Sequence, residues 1–322
     1  MTKNVLITGA NAGLGLETAR QLALRSDYGQ IFVSARTQDK ADKAVASLVE
    51  RTGTPADRFT SVLFDLLDTD SVERAVDELA VGGVHLDAIV LNAGGLSLLV
   101  DGRLAPAPSG NTRLFEMNVG GHARLVNGLL ERGVLASDGT VVFAATEGVR
   151  GVPRMGMKTP VLPEGELDAV LASVARGEHV SGKADPTYEY ALVKLVGTAW
   201  MSHLAERRGL RALAVSPGAT AGTNAGNNVS LGMRVMWELT MPLMKLFGVA
   251  HGVDAGAARY VQALDDSSMI AGTFYASADA RMSGPLVAQT TEQQPLLGDA
   301  DFIAACGRLL GGSGETSPNV AS

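Results

Sequence analysis

The sequence predicts an α/β fold, a doubly wound parallel sheet of about seven strands with helices on both faces. Three observations predict it. Short apolar runs recur along the chain, and most are apolar almost throughout, as strands buried on both faces should be. Helical periods separate these runs in regular alternation, the pattern of a parallel sheet built by crossovers. A glycine-rich turn over residues 8–15, TGANAGLG, joins the first run to the first helical period.

The predicted strands are residues 5–8, 31–35, 61–64, 88–91, 141–145, 212–216 and 273–276. The clearest helical stripe sets Phe115, Val119, His122, Val126 and Leu129/Leu130 on one face. Right-handed crossovers bring the strand C-termini to one edge of the sheet, where ligands bind. Two stretches break the rhythm at that edge. Residues 151–186 are rich in Gly, Pro and charge, with one helix candidate over 167–175, and residues 221–252 follow the sixth strand. Both are expected to wall a substrate pocket. There is no internal repeat and no linker, so residues 1–310 read as one domain, with an insertion at 151–186 and a C-terminal lid segment at 221–252. The end of the chain, 311–322 (GGSGETSPNVAS), reads as a disordered tail.

Composition narrows the class. The chain has 322 residues, 46% hydrophobic and 19% charged, which indicates a globular protein with a large core. A net charge of −7 gives no electrostatic footprint for nucleic acid. The single cysteine, Cys306, excludes an intrachain disulfide and reads as a small apolar residue on a late helix. The start, MTKNVLITGA, is a strand and not a signal peptide, so a cytoplasmic protein is expected. No 18-residue apolar run occurs, hence no integral membrane segment is expected. The nearest candidate, 231–250, contains Arg234, Glu238, Pro242 and Lys245 and carries four methionines. It reads either as a helix over the core or as an adaptable apolar lid. The five histidines show no metal spacing: His85, His179, His203 and His251 read as surface or loop residues, and His122 as a packed core residue.

Chemistry concentrates in two motifs. In YALVK, Tyr190 and Lys194 are four residues apart and share a helix face. An ammonium beside a phenol favours the phenolate and is expected to lower the tyrosine pKa. The turn at 8–15 has glycines at Gly9, Gly13 and Gly15, which let backbone approach a pyrophosphate stabilised by the helix N-terminus. Together they describe a tyrosine acid/base next to a nicotinamide ring.

The spacing TGxxxGxG resembles the short-chain dehydrogenase/reductase superfamily, and further residues extend the resemblance over roughly 3–223. Asn92-Ala93-Gly94 matches the family's NAG motif on the adenosine side. Asp65-Leu66 matches the acidic position that meets the adenine. Asn118 matches the active-site Asn, Tyr190 and Lys194 match YxxxK, and Pro217-Gly218 matches the PG motif beside the nicotinamide. The resemblance implies a Rossmann-type sheet. It also implies a cofactor held by Thr8, Gly9, Asn11, Gly13, Leu14, Gly15, Asp65, Leu66, Asn92, Ala93, Gly94, Tyr190, Lys194, Pro217, Gly218 and Thr223. One position departs from the pattern: where the family has a catalytic Ser, the chain reads FAATEG and places Thr146. Thr keeps the hydroxyl and adds a methyl that restricts its rotamer. The alternative, Ala145 at that position and a crippled site, stays open here. The long gap from Thr146 to Tyr190 is similar to retinol-dehydrogenase-like and protochlorophyllide-reductase-like members.

In that resemblance Tyr190 is the proton donor or acceptor and Lys194 lowers its pKa and holds the nicotinamide ribose. Thr146 binds the substrate oxygen, and Asn118 positions a water in the relay through Lys194. The second strand ends in Ala35-Arg36, with no acid for a ribose 2′-hydroxyl and a guanidinium able to clamp a 2′-phosphate, so NADP(H) is expected over NAD(H). The expected activity is reduction of a carbonyl, or oxidation of a secondary alcohol, on an apolar, medium-sized substrate. The rivals are a C=C or imine reductase on the same scaffold and a cofactor-binding regulator with a decayed site. Many family members pair through the Asn118 and Tyr190 helices, so a homodimer or homotetramer is one expectation; a long C-terminal extension can block that pairing.

Overall fold

The protein was analysed as a computed structural model, which describes residues 2–96, 99–221, 250–278 and 281–311. Thr223, nearly all of the expected lid at 221–252 and all but the first residue of the expected tail at 311–322 lie outside the described residues.

The chain opens with β1 (Lys3–Ile7), α1 (Gly13–Ala23), β2 (Tyr28–Ala35), α2 (Gln38–Thr52), β3 (Phe59–Leu63), α3 (Thr69–Val81) and β4 (Leu86–Leu91). A short hairpin, β5 (Leu99–Val100) and β6 (Arg103–Leu104), follows. Next comes one bent helical stretch: α4 (Arg113–Phe115), a π-helical turn (Glu116–Gly120) and α5 (Gly121–Glu131). Then come β7 (Leu135–Ala144), a 3₁₀ turn (Glu147–Arg150), α6 (Leu167–Arg176), α7 (Pro186–Arg208) and β8 (Arg211–Val215). The described chain ends with α8 (Val253–Asp265), β9 (Phe274–Ser277), β10 (Leu286–Ala288) and α9 (Ala300–Leu310).

Eight strands form one sheet in the order β10-β9-β8-β7-β4-β1-β2-β3. All neighbours are parallel except β10, which pairs antiparallel with β9 and adds one strand to the expected seven. The central strands are apolar because helices cover both faces: Val5, Leu6, Ile7, Ile89, Val90, Leu91, Val141 and Val142 are all 0% exposed. One face packs under α3, α5, α7 and α9, and the other under α1, α2 and α8. Chain order runs outwards from β1 through β2 to β3, then from β4 through β7 to β9. The reversal between β1 and β4 opens a crevice at their C-terminal ends, the place where such sheets bind ligands.

Helix starts follow local chemistry. Asp68, Glu166, Asp185 and Asp299 cap α3, α6, α7 and α9 by accepting backbone N–H bonds. Helix α1 is different: its cap residue is Ala12, which makes no side-chain cap bond, and its first turn has no acid. Helices α2 and α8 also lack a side-chain cap bond but carry Asp39 and Asp254 in their first turns, so the first N–H groups of α1 are left for another acceptor.

The insertion at 151–186 is tied down. Gln294 Nε2 donates to Val149 O at 2.9 Å and Pro160 O at 3.1 Å, and the Tyr188 hydroxyl accepts from Val161 N–H at 3.1 Å. Arg308 on α9 pairs with Asp168 on α6 at 2.8 Å. His203, expected at the surface or in a loop, is instead buried on α7, while His179 lies in the loop before α7 with its side chain largely covered. His203 packs so tightly on α9 that a Cβ at Gly307 would lie 2.2 Å from its ring. His179 bonds Glu189 Oε2 at 2.7 Å, with both side chains 7% exposed. Gly307 is far from His203 in sequence, so no local pattern announces that contact. His122 and Cys306 are 0% exposed, as expected. Among the described residues no helix is long and apolar enough to cross a membrane.

Candidate active site

The turn after β1 forms a backbone cradle. Gly9 has φ +65° and Gly13 φ +56°, conformations that favour glycine. A Cβ at Gly15 would lie 2.6 Å from both Asn92 Nδ2 and Gly9 O, so a side chain there would fill the cradle. Asn92 closes it from β4 by donating from Nδ2 to Thr8 O at 2.9 Å. Thr8 itself is 0% exposed: its Oγ1 accepts from Ala93 N–H at 2.9 Å and meets His122 Nε2 at 3.0 Å. It braces the cradle from beneath and does not line it. Burial holds the His122 ring neutral, with its pKa pushed down to about 3 and the Lys194 charge acting in the same direction.

Such a cradle, with the uncapped end of α1 behind it, fits a pyrophosphate. The adenosine side is consistent with a dinucleotide. Asp65 turns inward at the β3 tip, its Oδ1 accepting from Leu67 N–H at 3.1 Å, and Leu66 is buried beside it against α5. Arg36 is exposed just past β2 and borders a cleft of about 400 Å3 together with Gln38, Ser61 and Arg74.

The reactive groups stand at the same edge of the sheet. Lys194 is 1% exposed; its Nζ lies 5.7 Å from the centre of the Tyr190 ring and donates to Ala144 O at 2.7 Å. Thr146 lies two residues past that carbonyl. A Cβ on Gly148 would lie 3.0 Å from Ala191 Cβ and 3.4 Å from Thr146 Cγ2, which puts Thr146 against the turn of α7 that carries Tyr190. The Thr146 hydroxyl accepts from Gly148 N–H at 3.3 Å, leaving its own proton to donate outward. Of the two candidates for that position, Thr146 carries a hydroxyl at the edge of the sheet, whereas Ala145 is 2% exposed and packs in the core.

Asn118 sits in the π-helical turn and is 0% exposed. Its Oδ1 accepts from Gly95 N–H at 3.0 Å, and its Nδ2 donates to Gly95 O at 2.9 Å and Leu114 O at 2.8 Å. The side chain holds the segment that follows the NAG motif. Gly94, with φ +150°, passes so close that a Cβ there would lie 2.4 Å from Asn118 Oδ1 and 3.6 Å from Lys194 Nζ. Pro217 and Gly218 form the turn after β8, with Gly218 at φ +75°.

The electrostatics reverse one expectation. Burial, and then the Glu147 carboxylate, push the Tyr190 phenol up, while burial pushes Lys194 down to about 7. The lowering by Lys194 that the spacing suggested does not appear; desolvation is the leading cause for both groups. Glu147 carried no signal in the sequence beyond following Thr146.

Comparison with known proteins bears on the family and the fold. A family model described as short chain dehydrogenase matches residues 3–157, which end before Tyr190. The short chain dehydrogenase rstn4 of Aspergillus nomiae is 34% identical over 208 residues, 61% of this chain and 53% of that protein. Protochlorophyllide reductase A of Arabidopsis thaliana is 35% identical over 117 residues, 36% of this chain and 26% of that protein. The chain therefore spans about half the length of the first relative and about a quarter of the second. Among solved structures, L-sorbose reductase from Gluconobacter frateurii complexed with NADPH and L-sorbose superposes with a TM-score of 0.60 at 18% identity, covering 87% of this chain and 96% of that one. An actinorhodin polyketide ketoreductase with NADPH gives 0.59 at 18%, covering 85% and 94%. At these identities the superpositions speak for the fold alone. Motif set, family match and sheet topology converge, and the chain belongs to the short-chain dehydrogenase/reductase superfamily of oxidoreductases.

Proposed function

We propose that this protein is an NADP(H)-dependent oxidoreductase that reduces a carbonyl, or oxidises a secondary alcohol, on an apolar, medium-sized substrate. The observation that carries the reading is Tyr190 and Lys194 on one face of α7 with Thr146 close to the same turn. In this reading residues 1–310 act as one Rossmann-type domain in the cytoplasm.

Gly9, Asn11, Gly13, Leu14 and Gly15 would hold the pyrophosphate, with Asp65, Leu66, Asn92, Ala93 and Gly94 around the adenosine. Arg36 would clamp the 2′-phosphate, and Pro217 and Gly218 would flank the nicotinamide. Thr223, outside the described residues, would join them. NADPH is present in both solved structures named above, which supports this preference. When bound, the nicotinamide supplies or accepts the hydride. Thr146 donates a hydrogen bond to the substrate oxygen where negative charge develops. Tyr190 gives its phenolic proton to that oxygen as the C–O bond becomes single; in the reverse direction its phenolate takes the alcohol proton. Lys194 holds the ribose and supplies positive charge beside the phenolate. Asn118 keeps the Gly94–Gly95 backbone in place.

The experiment is a fluorescence titration with NADPH and NADH, followed by cofactor consumption on a panel of apolar ketones, aldehydes, enones and imines. Tighter NADPH binding with consumption on a ketone or aldehyde supports the reading. Consumption on enones or imines alone transfers it to the C=C or imine reductase on this scaffold. Binding without turnover on any member favours a cofactor-binding regulator.

A further inference from the structure

Glu147 is 2% exposed, and four elements meet at its carboxylate. From the tip of β8, the Ser216 hydroxyl donates to Oε2. From the end of β9, Ser277 donates to Oε1 through its N–H at 3.2 Å and its hydroxyl at 2.8 Å. From α8, Arg259, 4% exposed, brings Nη1 to 3.4 Å from Oε1. The guanidinium also donates to Ser216 O at 2.9 Å, Ser277 Oγ at 2.8 Å and Gly284 O at 2.7 Å. The knot reaches the turn beside the cradle: Ser216 Oγ accepts from Gly218 N–H at 3.1 Å, and a Cβ on Gly218 would lie 2.8 Å from Arg259 Nη1.

A buried ion pair stabilises little by itself, because desolving two charges offsets most of their attraction. Apolar residues would pack three strand tips at least as well. What the pair supplies is fixed geometry and a fixed charge, one residue from Thr146 and across from α7. The groups around Tyr190 and this carboxylate come from several elements. Lys194 is on α7, Tyr260 and Arg259 are on α8, and His251 precedes α8 with Nε2 2.6 Å from Pro217 O. Among the described residues, Glu147 is the carboxylate that acts on Tyr190 and Tyr260 alike, and Asp254 acts on His251.

We propose that Glu147, clamped by Arg259, is a positioning residue: it ties Thr146 to the Pro217–Gly218 turn and so fixes the Thr146 hydroxyl relative to the nicotinamide side of the site. The proposal rests on the reading of Thr146 and Tyr190 given above.

The test compares E147Q, which keeps the shape and removes the charge, with S277A, which keeps the charge and removes one hydrogen bond. Turnover is read with phenanthrenequinone as the carbonyl probe. For E147Q the expected result is kcat about tenfold lower with KM and NADPH binding little changed. For S277A kcat falls less, again with KM little changed. If E147Q lowers only the melting temperature and leaves kcat as in the wild type, the pair is merely structural and the proposal fails. Should E147Q not fold, an unchanged kcat in S277A overturns the clamp. Normal turnover in Y190F would instead remove the underlying reading, so the two failures are distinguishable.

Discussion

Lys194 Nζ lies 5.7 Å from the centre of the Tyr190 ring, one helical turn away, and is anchored by its bond to Ala144 O. The anchor ties the α7 face bearing both residues to the end of β7, two residues before Thr146. Removing the phenolic hydroxyl should therefore take away the proton donor and leave the cradle untouched. Y190F is expected to lose turnover by roughly 10²–10⁴ while binding NADPH nearly as the wild type does. Steady-state kinetics and a fluorescence titration on the same preparation check this.

Burial holds Lys194 at about 7, below its ordinary value of 10.5. Below pH 7 both folded and unfolded chains carry the proton, and the folded chain bears the full desolvation cost. Between about 7 and 10.5 only the unfolded chain binds it, so this cost fades as pH rises. Relative to K194M, the wild type should gain melting temperature steadily from pH 7 to pH 10. A constant difference across that range would contradict the burial argument.

Arg36 stands exposed beyond β2 at the mouth of a cleft that also contains Arg74. A charge-assisted clamp on a phosphate contributes about 1.5–3 kcal/mol. R36A should weaken NADPH binding by about 10- to 100-fold and leave NADH binding within about twofold. Equal weakening of both would remove Arg36 from the 2′-phosphate.

The His179–Glu189 pair joins the insertion to the first turns of α7, next to Tyr190. Although burial opposes the charge, Glu189 raises the His179 pKa above its ordinary 6.5. A raised folded-state pKa contributes stability that is full below about 6.5 and is lost as pH rises through the folded value. H179Q should thus lower the melting temperature at pH 6 by several degrees and much less at pH 9.

Helix α9 lies across α7 and the end of α5. Asn127 Nδ2 donates to Leu310 O at 2.7 Å, and Gly307 accommodates the His203 ring. The α5–α7 surface through which many relatives pair is covered by the chain's own helix, so a monomer is expected in light scattering. G307L should destabilise the fold by about 1–3 kcal/mol through overpacking. A dimer that persists in the wild type would point to another surface.

The cradle, the NAG strand end, the YxxxK helix and the PG turn were legible because each is a local pattern: glycines where backbone must approach closely, or a four-residue spacing that sets one helix face. The Thr146 substitution was legible as a departure from the Ser. The Glu147–Arg259 knot was not, since it joins residues 112 positions apart and no period connects them. The same holds for His203 and Gly307. Asn118 was found by motif, yet its bonds to Gly95 were not.

From sequence alone, alternation of apolar runs with helical periods determined the sheet, its two covered faces and the edge at which the motifs gather. That information is local, because burial and backbone conformation are written residue by residue. Only the tertiary structure decided the charge state favoured at that edge. It showed burial raising Tyr190 and lowering Lys194 where the spacing suggested a lowered tyrosine, and it brought Glu147 to face them. Desolvation and long-range charge depend on what every other element excludes from water, and that quantity exists only once the chain is folded.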